Sequence, residues 1–230
     1  VHGDVIPGRQ FCDRQVQGPF RHWRHRHGFE PDGPSASHLE DDVEYALPLG
    51  WLGSIVAGGR VREKLDRMFA YRHAVTKADV ETYAAREGLK PMHVVVSGSR
   101  GLVGSALIPF LTTGGHRATR LVRGVAAGPD EAAWDPSRGL TEPFRLDGAD
   151  AVVHLAGENI AGGRWTPARK AEIRRSRVEG TRSLCEALAR LTRPPKLLVS
   201  ASAIGFYGDR GAQTLTEESG AGSGFLPDVC

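Results

Sequence analysis

Residues 94–104 read Val94-Val95-Val96-Ser97-Gly98-Ser99-Arg100-Gly101-Leu102-Val103-Gly104. An apolar run, residues 92–97, enters a glycine-spaced turn, and the turn opens into an apolar helical pattern from Leu102 to Thr113 that stops at Gly114-Gly115. The run suits a strand buried on both faces of a parallel sheet, and the glycine pair suits a helix C-cap. With 29 glycines in the chain, a Gly-x-x-Gly-x-x-Gly match is unspecific by itself. The strand-turn-helix setting is what predicts a dinucleotide site. Gly98 permits the tight turn, Gly101 lets a pyrophosphate come close, and Gly104 packs helix on strand. The helix start offers unpaired N–H groups and a positive dipole end to phosphate. The cofactor-binding set at this turn is Gly98, Ser99, Arg100, Gly101, Leu102, Val103 and Gly104.

Outward from this turn the rhythm continues. Further strands are expected at 118–122 and 150–156, a helix from Thr166-Pro167 to about Leu191, and a strand at 196–202. Residues 124–149 read as irregular, with a short strand at 132–134. Strands alternating with helices predict an α/β domain, a Rossmann-type doubly wound parallel sheet, over 92–230. Upstream of Gly88-Leu89-Lys90-Pro91 the character changes. A strand at 20–29, a turn at Pro31-Asp32-Gly33-Pro34 and a returning strand at 37–47 form a hairpin. A helix follows over 55–86, with Val61, Leu65, Met68, Phe69 and Arg72 at helical spacing.

Composition narrows the function classes. The 230 residues are 40% hydrophobic, enough for a real core, and no stretch approaches a membrane span. Thirty basic residues against 27 acidic ones give a net charge of +3, which is no footprint for nucleic acid. Cys12, Cys185 and Cys230 are widely spaced, so neither a disulfide framework nor a cysteine zinc site is expected. With no secretory signal at the start, a cytoplasmic protein is expected. The chain opens on Val1 rather than Met and is read as a fragment or a trimmed product. His25 and His27 share a strand face beside His22, but no third ligand is evident, so no metal is expected. The interleaved Arg21–His27 run reads as a solvated sheet face rather than a nucleic-acid platform.

The strand ending Arg120-Leu121-Val122-Arg123 has no acid to hold a ribose 2′-hydroxyl. Arg123 and Arg100 suit a 2′-phosphate instead, which favours NADP over NAD. The alternative is that both are solvated surface arginines. Leu155, Ala156 and Gly157 follow a strand toward the carboxyl end of the sheet, where small residues let a nicotinamide ribose approach. His154 reads as a satisfied core histidine. Glu158 and Asn159 come next and are candidate substrate contacts. A strand-end hydroxyl could polarise a carbonyl: Ser202 first, then Ser200. Capping of the strand-end backbone accounts for both hydroxyls equally well.

The glycine turn, the His154-Leu155-Ala156-Gly157 strand end and the Ser200–Gly208 segment SASAIGFYG resemble extended short-chain dehydrogenase/reductases. The stretch from Gly157 to Arg182, GENIAGGRWTPARKAEIRRSRVEGTR, is similar to one atypical subgroup, the epimerase family, related to NAD-dependent epimerase/dehydratases. Residues 1–86, with GPFRHWRHRHGFEP, DDVEYALPLG and REKLDRMFAYRHA, resemble the last strands and C-terminal helix of an SRPBCC (START-like) helix-grip domain. That resemblance implies an apolar ligand for the first half and an NADP(H)-linked reaction on a small molecule for the second. It also implies that the second domain is truncated at its C-terminal end. The family's Tyr-x-x-x-Lys pair is replaced by Leu226 and Cys230, and the usual helix Asn by Arg177. Leu226 cannot move a proton. Ser202 is left as the catalytic candidate, Cys230 is a second one beside Arg177, and Tyr207 looks structural. Arg177 is also a candidate substrate contact. The competing readings are a non-catalytic NADP-binding or redox-sensing module and an apolar-ligand carrier.

Overall fold

The computed structural model describes residues 1–86, 88–136 and 139–230. Ser137 and Arg138, inside the segment read as irregular, lie outside the described residues. Contacts divide the chain into two units, Val1–Thr82 and Tyr83–Cys230.

The first unit is an antiparallel meander of β1 (His2–Ile6), β2 (Gln10–Arg14), β3 (His22–Pro31) and β4 (Ser37–Ala46), paired in sequence order. The hairpin β3–β4 runs in one continuous register from His22↔Ala46 to Pro31↔Ser37. β1 and β2 carry no signal in the sequence, being five residues each, polar, and without a clean alternation. Helix α1 (Trp51–Ala84) starts four residues before the expected Ile55. Its half-buried stripe is Ala57, Val61, Leu65 and Phe69, whereas Met68 lies off it and is exposed. Phe69 meets the His25 ring edge-on at 5.2 Å, so this stripe covers the His25 face of the meander.

The second unit contains β5 (His93–Ser97), α2 (Leu102–Thr113), β6 (Arg117–Val122), β7 (Glu131–Asp135), β8 (Gly139–Leu140) and β9 (Ala151–His154). After these come α3 (Pro167–Arg174), a π turn (Arg175–Glu179), α4 (Gly180–Ala189), β10 (Leu197–Ser200) and α5 (Phe225–Val229). The strand order is β10-β9-β5-β6-β7-β8, parallel except for the β7–β8 pair. This is the Rossmann-type order, in which the chain winds one way from β5 and then returns to continue on its other side with β9.

Alternation in the strands feeds two cores. Val95, Leu121, Trp134 and Val152 pack on one face with Leu184 and Leu188 of α4. Val94, Val96 and Ala118 pack on the other with Ile108 of α2. Two corrections to the sequence reading follow. The stretch read as irregular keeps its expected short strand, as β7, but adds β8 and the buried residues Leu146 and Ala149. The single long helix is two α-helices joined by a π turn, in which the Gly180 N–H donates to the Arg175 carbonyl, five residues back.

Candidate functional site

The glycine turn sits where β5 and β9 run side by side with Ser97 level with His154. That pair is the switch point of the sheet, where ligands bind beyond the strands' carboxyl ends. Gly98 has φ +66°, and a Cβ there would lie 2.7 Å from the Leu155 carbonyl carbon and 2.8 Å from the Ala156 nitrogen. Only glycine lets the turn cross the β9 exit at this distance. A Cβ on Gly104 would come within 2.7 Å of Ser99 Cα, so this glycine packs α2 against the turn itself. At Gly101, by contrast, a Cβ would meet only the Gly98 carbonyl oxygen, at 3.2 Å, so its outer side is open. The N-cap of α2 is Gly101, and no side chain caps the helix start.

A cleft of about 810 Å³ opens over this cradle. Gly98, Ser99, Arg100 and Gly101 line it, with Arg123 at the β6 exit and Leu155, Ala156, Gly157 and Glu158 after β9. Leu102 and Val103 form the first turn of α2 and are 91% and 61% exposed, outside that lining. Gly104 is buried behind it. The exposed Arg100 guanidinium lies 3.6 Å from the half-buried Glu131 on β7, a long contact of little energetic weight. Trp134, Glu172, Arg175, Ser176 and Glu179 also line the cleft, and the sequence reading assigned none of them. The buried Trp134 Nε1 has no hydrogen-bond partner among the described residues.

A smaller pocket of about 470 Å³ shares Leu155, Ala156 and Gly157 with the cleft. It brings together Ser200, Ser202, Arg177 and Cys230. Arg177 comes from the π turn, and its NH1 donates to the Glu158 carbonyl at 2.9 Å. A Cβ on Gly157 would lie 3.1 Å from the Arg177 guanidinium carbon, so that glycine makes room for the arginine. Glu158 pairs with Arg169 at 2.6 Å, and Arg169 also bonds the Asn159 carbonyl. The Asn159 side chain turns back to accept from the Ala161 N–H at 2.9 Å and lines neither pocket. Leu226 packs instead against Gly205, where a Cβ would stand 3.2 Å from Leu226 Cβ.

Behind both pockets runs a buried brace. Ser97 Oγ accepts from the Leu155 and Ala156 N–H groups at 3.1 and 3.2 Å and lies 2.7 Å from His154 Nδ1. With its lone pairs so occupied, the hydroxyl hydrogen goes to Nδ1, and His154 Nε2–H donates to Thr181 Oγ1 at 3.1 Å. Burial lowers the His154 pKa below its usual 6.5, in keeping with this neutral tautomer. The same direction holds for His93, through burial and then Arg117, with Asp150 opposing. The unfolded chain therefore binds more protons than the folded one once pH falls to about 6.5. Melting temperature is expected to hold between neutral and mildly alkaline pH and to fall below about pH 6.5. In a His154→Gln variant that fall should be shallower; an unchanged profile would contradict the assignment.

The comparisons agree with this geometry. Residues 94–224 match the NAD dependent epimerase/dehydratase family. Epimerase family protein Mb2239 of Mycobacterium bovis is 40% identical over 137 residues, 60% of this chain and 45% of that protein. The crystal structure of a nucleoside-diphosphate sugar epimerase from Corynebacterium glutamicum is similar over 100% of this chain and 47% of its own, with 36% identity and a TM-score of 0.77. Human epimerase family protein SDR39U1, solved with NADPH, is 32% identical with a TM-score of 0.52, over 60% of this chain and 46% of that one. The chain thus spans less than half the length of these relatives. No helix among the described residues is long and apolar enough to cross a membrane. With its glycine cradle at the switch point of a Rossmann-type sheet, this chain belongs to the NAD dependent epimerase/dehydratase family.

Proposed function

We propose that the chain binds NADP(H) in the larger cleft and belongs to an oxidoreductase or epimerase acting on a small molecule held in the smaller pocket. One observation carries the reading: the Gly98–Gly101 cradle, open over Gly101, shares one cleft with the guanidiniums of Arg100 and Arg123, and the exit of β6 carries Arg123 in place of an acid. The pyrophosphate would lie on the N–H groups at the start of α2. The adenosine end would reach Arg123 and Arg100, the second leaving Glu131 to meet a 2′-phosphate. The unpartnered Trp134 Nε1 and the Leu155–Gly157 stretch suit the middle of a dinucleotide. The bound nicotinamide supplies hydride transfer; the chain's own groups bind and orient. In the adjoining pocket, Ser202 donates a hydrogen bond to a substrate oxygen and Arg177 holds an anionic group. Leu226 can contribute only packing. The likeness to the human protein solved with NADPH supports the choice of NADP.

The first unit has a meander followed by a 34-residue helix, which supports reading it as the rear part of a START-like domain that takes an apolar ligand.

Titration of the chain with NADPH and NADH, followed by nicotinamide fluorescence, tests the cofactor. NADPH is expected to bind more tightly. Arg123→Asp should weaken NADPH about 10- to 100-fold, the value of one charge-assisted bond to a phosphate, and leave NADH nearly unchanged. Equal loss for both would remove the 2′-phosphate argument. No binding of either would overturn the reading.

A further inference from the structure

The meander of the first unit holds a polar cluster that the cleft does not use. Register sets Asp13 of β2 opposite His25 of β3, and His27 of β3 opposite Asp41 of β4. Alternation turns all four side chains to one face. His25, His27 and Asp41 are almost fully buried, with side chains 6%, 2% and 3% exposed, while Asp13 retains 34%. Groups of this kind are not buried without partners, since unpaired charge is expensive there.

Asp41 organises the cluster. Its Oδ1 lies 2.8 Å from both His25 Nε2 and His27 Nδ1, and its Oδ2 lies 2.7 Å from His73 Nε2 of α1. A carboxylate only accepts, so His25 Nε2 and His73 Nε2 each carry a hydrogen and donate it, whereas His27 Nδ1 is near Asp41 without a hydrogen bond to it. Burial pushes the Asp41 carboxyl up, but hydrogen bonds from His73 and His25 and the nearby Arg72 outweigh it and keep the group ionised. His27 is lowered by burial, then by His25 and Arg72, against the pull of Asp13 and Asp41. His27 Nδ1 accepts from Arg72 NH2 at 3.3 Å, because a guanidinium can only donate. The ring hydrogen is then on Nε2 and faces Asp13 Oδ2 at 3.4 Å, a long hydrogen bond.

A cation can take the place of that hydrogen. Zinc bonds of about 2.0–2.2 Å at the tetrahedral angle set neighbouring ligand atoms about 3.4 Å apart. The Asp13–His27 spacing of 3.4 Å is that span, and ligand atoms of Asp13, His25 and His27 all lie within 4.8 Å of one another. We propose that Asp13, His25 and His27 form a site for a divalent ion of the zinc type. Asp41 is the carboxylate that orients the His25 imidazole from behind by a hydrogen bond and stands 2.8 Å from His27 Nδ1. Asp13 Oδ1 is held 2.5 Å from His2 Nδ1, which leaves Oδ2 for the ion. Three protein ligands leave a fourth position for water or a ligand oxygen. The two carboxylates, offset by Arg72, leave one net negative charge for the cation. The third ligand is invisible to the reading of His25 and His27 as a pair because Asp13 lies on a strand that the sequence does not announce.

The test uses the tag-free 230-residue chain, stripped with chelator and titrated with Co²⁺ and with Zn²⁺. Visible d–d absorption that saturates at one Co²⁺ per chain, and is displaced by Zn²⁺, is the expected result. Asp13→Asn, at a partly exposed position that tolerates the change, and His27→Gln should each abolish the band. Asp41→Asn should weaken binding about 10- to 100-fold. His22→Gln, on an exposed side chain outside the cluster, should leave binding unchanged. No saturable binding by the wild-type chain overturns the proposal. So does a band that survives intact in folded Asp13→Asn, because that would place the ion on surface histidines.

Discussion

Gly98→Val is expected to abolish dinucleotide binding and to destabilise the second unit by about 3 kcal/mol or more. Two costs combine. At φ +66° a β-branched residue is strained, and its Cβ would sit 2.7 Å from the Leu155 carbonyl, backbone that cannot swing aside. Gly101→Val is the informative partner. Gly101 has φ −77°, ordinary for any residue, and its added Cβ would meet one carbonyl oxygen at 3.2 Å. That variant should keep nearly all of its stability, within about 1 kcal/mol, and still lose nucleotide affinity by at least about 100-fold, because the added side chain projects into the open side of the cradle. Urea unfolding and NADPH titration on both variants separate the two roles. If Gly101→Val bound NADPH normally, the pyrophosphate would have to lie elsewhere.

Ser97→Ala should cost about 2 kcal/mol, an effect out of proportion to one small hydroxyl. The Leu155 N–H retains a second acceptor in the Ser97 carbonyl at 3.3 Å. The Ala156 N–H and His154 Nδ1 lose their partner in a site where His154 is 3% exposed. An unsatisfied buried group costs about 1–3 kcal/mol, whereas a bond lost with both partners replaced costs little. Thr181→Val, which removes only the last link of the chain, should cost about 1 kcal/mol. Chemical denaturation of both variants checks the ranking. Equal effects would mean that Ser97 does not hold the β9 exit.

The parts of this fold that were legible in the sequence are those written locally. Val94–Val96, the three glycines and the Gly114-Gly115 stop each determine their own few residues, and β5 and α2 fall where those signals put them. β7 was glimpsed as Ala132–Trp134, but β8 was not: a two-residue strand has no period to detect. The brace was illegible for another reason. Ser97 and His154 are 57 residues apart and meet only because β5 and β9 are neighbours at the switch point. His154, read alone, gives a buried histidine and not the partner that fixes its tautomer. Arg177 was singled out for what it replaces, while its reach to the Glu158 carbonyl depends on a π turn that helical periodicity cannot reveal.

That turn has a consequence for insertions and deletions. Every residue of an α-helix advances the chain by about 100°, and the Arg175–Glu179 turn accommodates one more residue than an α-helical turn would. Five residues here turn the chain about as far as four do in an α-helix, so α3 and α4 stay meshed in space although their sequence periods are offset by one residue. Shortening the segment by a single residue would restore continuous α-helix with little rotation between its two halves, leaving Leu184 and Leu188 in the core and Arg169 beside Glu158. What the deletion would take away is the side chain that the widened turn presents to the pockets. The turn is a place where the chain can gain or lose one residue without unmeshing its helices.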